Sequence, residues 1–316
     1  MVTTASLLQR VTILGWDADD GVPEFFEALP ETDLLGEVAP GVRRAGVEAR
    51  VGPDGRIEVL ALRPNHSRLL RLTEPRSVIE LRDAVIDAVP GPDDSAIVLR
   101  RGSAGPVVES VSEAGVASWS YAELPVVSAS ARLLQDRRTT YVTGDGMLAT
   151  VGAGGAQVTA SWRPGGDPVM SADDRVAFVR WNESNRRRDV VLLDPASGKE
   201  SVVPGTDESF GFLARLIGVD QAGRSYGFSA GELGRLTADG RVDWRIRPAD
   251  ASVEFDDVEV EMRSVAGGFG APGGPSEFDR LVPPAAGSVT PDGRVVLAVV
   301  TARGVDILTL RSLSDI

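Results

Sequence analysis

One phrase recurs along this chain and restricts its fold more than any other feature. An apolar stretch leads into a turn of Asp, Gly or Pro, and a β-rich run follows. GPDGRIEVLAL begins at Gly52, GPDDSAIVLRR at Gly91 and LQDRRTTYVTG at Leu134. SADDRVAFVRW begins at Ser171, DQAGRSYGFS at Asp220 and TPDGRVVLAVV at Thr290. Asp-Gly and Asp-Asp pairs accept the positive φ that tight hairpins need. The runs that follow alternate or are β-branched, as strands are. A second strand–turn–strand phrase follows each of the first five: LLRLTEPRSVIEL, PVVESVSEAGVASW, MLATVGAGGAQVTASW, VVLLDPASGKESVV and LGRLTADGRVDWRI. Three of its outer strands end in Trp119, Trp162 and Trp244.

The repeat unit is therefore four strands, A to D, with tight A–B and C–D turns. Successive A–B turns lie roughly 40 to 50 residues apart, the length of a propeller blade. The expected fold is an all-β propeller of six four-stranded blades, or seven, forming one domain over residues 1–316. The sixth unit stops after strand C, at GVDILTLRS. RVTILGW, Arg10 to Trp16, has the same Trp-terminated form as QVTASW and RVDW. The expectation is that this N-terminal strand completes blade six and closes the ring, since blades cannot bury their faces alone.

These turns resemble two known repeat families. The PDGR turns are similar to TolB-like propeller repeats, and the ASGKE and ADGRVDW turns to PQQ-like ones. The resemblance runs over roughly residues 10–312 and implies architecture only, because such repeats serve enzymes, transport accessories and scaffolds alike.

Two segments exceed simple D–A loops: residues 17–43 and 247–284. In a propeller the A–B and C–D turns lie at the bottom, and the B–C and D–A loops at the top. Both segments therefore belong to the top face, beside blade six. The first carries Asp17, Asp19, Asp20 and Glu24, and Pro23, Phe25, Phe26 and Leu29 suggest a short helix. The second carries Asp256 and Asp257, then VAGGFGAPGGPSEF, which reads as a flap. That glycine run lacks the Lys-Ser/Thr ending of a phosphate loop.

The lone histidine, His66, falls beside Asn65 in the blade-one B–C loop RPNHSR, also on the top face. It reads either as a general base within reach of carboxylates or as a solvated loop residue. Arg186, Arg187 and Arg188 in the blade-four B–C loop either clamp an anion or pair with the acidic segments. Glu48, Asp87, Arg132 and Arg215 fall on inner strands. There they line a pocket or form inter-blade ion pairs.

Composition removes several function classes. The chain has no cysteine and one histidine, so thiol chemistry, iron–sulfur clusters and Cys- or His-rich zinc sites are excluded. DADDG departs from the D-x-D-x-D-G calcium loop, because its glycine is fifth and its spacing broken. There is no G-x-S-x-G elbow, and asparagine occurs only at Asn65, Asn182 and Asn185, which is not the ligand set of a calcium lactonase. Nothing calls for a cofactor or metal. A net charge of -13 disfavours nucleic acid and anionic membranes. The start MVTTASLLQRVTILGWDADD has no basic n-region followed by an apolar h-region. The reading is a cytoplasmic protein, although a chain whose leader had been removed would read the same. Two functions stay open: a propeller that binds a small molecule or protein partner across its acidic top face, and an enzyme, such as a lyase, cyclase or lactone hydrolase, at the mouth of the channel.

Overall fold

The computed structural model describes residues 21–30, 46–52, 55–62, 67–72, 77–81, 84–92, 95–125, 131–144, 146–161, 168–206, 213, 215–229, 232–246, 287–301 and 304–312. The first strand is β1 (Gly21–Pro30). Blade one comprises β2 (Gly46–Val51), β3 (Ile57–Leu62), β4 (Ser67–Arg71) and β5 (Ser77–Leu81). Blade two comprises β6 (Val85–Pro90), β7 (Ala96–Arg101), β8 (Pro106–Val111) and β9 (Ala117–Tyr121). Blade three comprises β10 (Arg132–Gln135), β11 (Thr140–Gly144), β12 (Met147–Gly152) and β13 (Gly155–Ser161). Blade four comprises β14 (Val169–Met170), β15 (Val176–Asn182), β16 (Arg187–Leu193) and β17 (Glu200–Val203). Blade five comprises β18 (Arg215–Val219), β19 (Ser225–Ser229), β20 (Glu232–Leu236) and β21 (Val242–Ile246). A sixth sheet contains β22 (Gly287–Val289), β23 (Val295–Thr301) and β24 (Gly304–Ser312). All pairings are antiparallel, and five sheets keep chain order. The innermost strands touch in sequence: β6 meets β10, β10 meets β14, β14 meets β18, β18 meets β22, and β22 meets β2. This is an all-β propeller, with an arrangement consistent with six blades.

The core lies between blades. In β10, Leu133 packs with Val89, Leu99 and Val108 of blade two, whereas Leu134 packs with Val176, Phe178 and Val191 of blade four. In β15, Val176 and Phe178 face blade three, while Ala177 and Val179 join Leu216 and Val219 of blade five. Alternate residues thus feed opposite faces, so a strand buried on both sides reads as an unbroken run such as AIVL or VAFV.

The A–B turns fall where the repeated phrase places them, and some of the A–B and C–D turns share one hydrogen-bonded cassette. Ser171 Oγ donates to Asp173 Oδ1 at 2.5 Å and accepts from the backbone N of Arg175 at 3.0 Å. Arg175 Nε then donates to Asp173 Oδ2 at 2.7 Å. Thr290, Asp292 and Arg294 repeat this in blade six, and Thr237, Asp239 and Arg241 in the C–D turn of blade five. The residue before the arginine takes positive φ: 65° at Asp174, 84° at Gly240 and 88° at Gly293. That is the backbone reason for Asp-Asp and Asp-Gly there.

The sixth sheet corrects two expectations. Its outermost strand is not Arg10–Trp16, which lies outside the described residues, but β1, paired from Gly21↔Ser312 to Pro30↔Gly304. The helix expected around Pro23 is therefore a strand. A bulge between Phe25 and Glu27 adds one residue to β1. The spacing of Phe25, Phe26 and Leu29, which mimics a helical face, belongs to a strand interrupted once. Pro23 and Pro30 fit an edge strand, where no further neighbour needs their missing N–H.

Candidate functional site

The bottom turns use their polar groups internally. In Asp173, burial alone would raise the carboxyl pKa, but hydrogen bonds from Arg175 and Ser171 outweigh it and hold the group below the usual carboxylate range. Asp292 behaves alike: burial opposes, and Thr290 and Arg294 prevail. The Thr237 hydroxyl lowers Asp239. A buried knot ties blade five to blade six. Tyr226 Oη lies 3.0 Å from Asp220 Oδ2 and 3.1 Å from the carbonyl of Gly293, and Arg224 Nε donates to the same carboxylate oxygen at 2.6 Å. Burial first, then the Asp220 charge, raises the Tyr226 pKa and keeps its phenol neutral. A β-carbon on Gly293 would meet that hydroxyl at 2.6 Å. This knot carries strong local electrostatics, but its groups satisfy one another.

At the other end of the blades, where inner strands begin, the polar residues differ. Asp87 is 1% exposed. Its Oδ1 pairs with Arg50 Nη2 at 2.6 Å and accepts from the backbone N of Ala88 at 2.8 Å. Its Oδ2 accepts from the backbone N of Leu133 at 2.8 Å. One carboxylate thus joins blades one, two and three. Arg50 Nη1 also donates to the carbonyl of Ala88 at 2.7 Å. Of the two roles expected for Asp87, the structure shows the inter-blade ion pair. Both carboxylate oxygens are occupied, so Asp87 has no place on a pocket wall.

Arg132, the first residue of β10, stands next to that junction. It is half-buried between Ala131 and Leu133, which are both buried. Its Nη1 donates to the carbonyl of Ala131 at 3.0 Å. Glu48 lies on β2 opposite Leu60, and Arg215 opens β18 opposite Phe228. Glu24 lies on β1 opposite Thr309, in the strand of its sheet farthest from the axis. That placement removes Glu24 from the top-face group, because β1 is an outer edge and not a loop. His66, Asn65, Asp17, Asp19, Asp20, Asp256 and Asp257 lie outside the described residues, as does the glycine-rich stretch. On blade four, Arg186 adopts φ 54° in a turn, and Arg187 and Arg188 pair with Asn182 and Trp181 across the β15–β16 hairpin.

Sequence reasoning missed several buried polar groups, Asp189, Arg71 and Arg235 among them. Asp189 accepts from Asn182 Nδ2 at 2.8 Å and from the backbone N of Gly205 at 2.9 Å, pinning the exit from blade four. Arg71 pairs with Glu58 at 3.3 Å and reaches the Ser95 carbonyl of the next blade at 3.1 Å. Arg235, 2% exposed, pairs with Asp243 at 2.5 Å. Their only signal in the sequence was a charge inside a strand. Among the described residues, no group of three or more His, Cys, Asp or Glu is arranged to hold a metal, and no helix is long and apolar enough to cross a membrane.

Fold and ring contacts define the class as β-propeller. No protein-family model matches the chain, and no curated protein matches it significantly. Solved structures do. Virginiamycin B lyase from Staphylococcus aureus matches with 14% identity over 88% of this chain and 83% of that one, with a TM-score of 0.50. A luciferin-regenerating enzyme matches with 10% identity over 93% and 96%, again at 0.50. TolB from Acinetobacter baumannii matches with 15% identity over 64% of this chain and 54% of that one, at 0.43. At these identities the likeness is one of fold.

Proposed function

We propose that this propeller binds a small molecule at the top of its axis, where the innermost strands begin. The carrying observation is the contrast between the two ends of the blades. The bottom turns consume their own hydroxyls, carboxylates and guanidinium groups. At the top, Arg132 and Arg215 are the first residues of their inner strands and Glu48 lies near the start of β2, and Arg132 spends only one hydrogen bond, on the adjacent Ala131 carbonyl. A few polar residues set on an apolar frame are the usual make-up of a ligand site. In this reading the protein works in the cytoplasm and without a cofactor.

The test is a screen of a metabolite library against the full chain by thermal shift, followed by backbone amide mapping. Binding at the top is expected to move the amides of residues 46–50, 84–88 and 131–133. A ligand that instead moves residues 171–175, 220–224 and 290–294 would place the site at the bottom and overturn the proposal. The second reading is an enzyme at the same place, with His66 as its base. If a bound compound is consumed, His66→Ala is expected to slow turnover by about 100-fold or more, the scale of losing a general base. A compound that binds without being consumed leaves the binding reading alone.

A further inference from the structure

We infer that the site at the top of the axis takes a small molecule bearing a single carboxylate, and that Arg132 holds that carboxylate. The inference rests on the ligand-binding reading above and narrows it to a substrate class.

The chain carries 46 acidic against 33 basic side chains, so an arginine in this protein readily finds a carboxylate. Arg50 pairs with Asp87, Arg68 with Glu80, Arg180 with Glu200 and Arg235 with Asp243. Arg132, also half-buried, has no such ion pair among the described residues. Its one hydrogen bond runs from Nη1 to the carbonyl of Ala131, one residue back in its own chain. Its Nε and Nη2 have no hydrogen-bond partner among the described residues and are not fully buried. The acid bound to the very next residue, Asp87, is committed on both oxygens to Arg50, Ala88 and Leu133. It cannot turn to Arg132 without breaking the junction of three blades.

The result is a guanidinium fixed on one side and open on the other. The open side, Nε with Nη2, is the parallel two-donor fork that matches the two oxygens of a carboxylate. Half-burial strips part of the cation's water and raises its demand for an anion. Arg215 takes the same first position in β18, so the ring of strand starts carries a second positive residue. The overall charge of -13 limits how much negative charge a ligand can bring. Polyanions are repelled at a distance, whereas a compact monoanion is neutralised by one fork.

The experiment uses the 15N-labelled full chain at constant ionic strength. It is titrated with acetate, lactate, benzoate and succinate, with the amide of each acid, and with inorganic phosphate. The expected result is a saturable shift of the Arg132 Nε–H and the Leu133 amide with at least one carboxylate, and a much weaker one with its amide. Arg132→Gln is expected to weaken that binding about 10- to 100-fold, as for loss of a charge-assisted hydrogen-bond pair. Arg132→Lys, which keeps the charge but not the fork, should recover only part of it. Equal binding of acid and amide at the top face would overturn the carboxylate assignment while leaving the ligand site standing. Shifts that phosphate reproduces, or that Arg132→Gln leaves unchanged, would mean an adventitious ion only and would overturn it too. If no carboxylate binds, the assignment fails, and it takes the broader ligand-binding reading with it when the library screen is also empty.

Discussion

Asp87→Ala tests the account of how the blades are held together. The side chain is 1% exposed and joins three blades through Arg50, Ala88 and Leu133. Its loss leaves the Arg50 guanidinium, 15% exposed, without the anion set against it, and leaves a main-chain N–H of the next blade without its acceptor. Breaking a buried pair by removing one partner costs about 3–5 kcal/mol. At about 2.1 cal/mol/K per residue, unfolding a chain of 316 residues carries an entropy near 0.7 kcal/mol/K, so the melting temperature should fall by about 5–8 °C. Differential scanning calorimetry at pH 7 reads this directly. Hydrogen exchange adds a local readout, since the Leu133 amide should lose protection more than the amides of β15, on the next blade along. The double variant Arg50→Gln, Asp87→Asn should lose less stability than the sum of the two single changes, by about 0.5–3 kcal/mol, because the two groups meet. A melting temperature within about 1 °C of the parent, with Leu133 still protected, would refute the reasoning.

Two further outcomes follow from the fold. Deleting residues 21–30 removes β1 from β24 and exposes a nine-residue edge, so the truncated chain is expected to aggregate and melt lower; a soluble, equally stable product would show that β1 does not close the sheet. Asp173 and Asp292 have folded pKa values below the ordinary carboxylate value of about 3.9, so their stabilisation is complete above that pH and is lost as pH falls through the folded values. Asp173→Asn with Asp292→Asn should therefore flatten the stability–pH curve below about pH 4 and leave its slope near pH 7 unchanged; an unaltered acid limb would contradict the cassette.

The blades were readable in the sequence because their information is local. An S/T-x-D-D/G-R turn writes its hydrogen bonds within five residues, and the strands beside it are buried on both faces. The closing strand was not readable in the same way. GVPEFFEALP has two prolines and a bulge, and its partner lies beyond residue 303, so neither propensity nor period identifies it. The inner-strand charges show the same limit. Asp87 and Arg132 look alike in sequence, as single charges near the start of inner strands. What separates them is Arg50, 38 residues from the Ala88 carbonyl it also binds, and the Leu133 amide, 46 residues from Asp87. The general placement of polar groups at the strand starts was legible; which of them are occupied was decided by the neighbouring blades.

The pairing of β1 with β24 also sets an order of events during synthesis. β1 leaves the ribosome before any of blades one to five, yet its partner is made only after all of them. Through all the intervening translation, Gly21–Pro30 has no mate in its own sheet, and β24, once made, has only β23 until the early strand returns. Joining them closes a loop spanning residues 31–303, whose entropic cost grows only logarithmically with length but must be met before any contact rewards it. Blades one to five can zip up one after another from nearby contacts, whereas the final sheet must wait for a long-range encounter. That last clasp is where folding of this chain should be slowest, and where a nascent chain is most exposed to pairing with the wrong molecule.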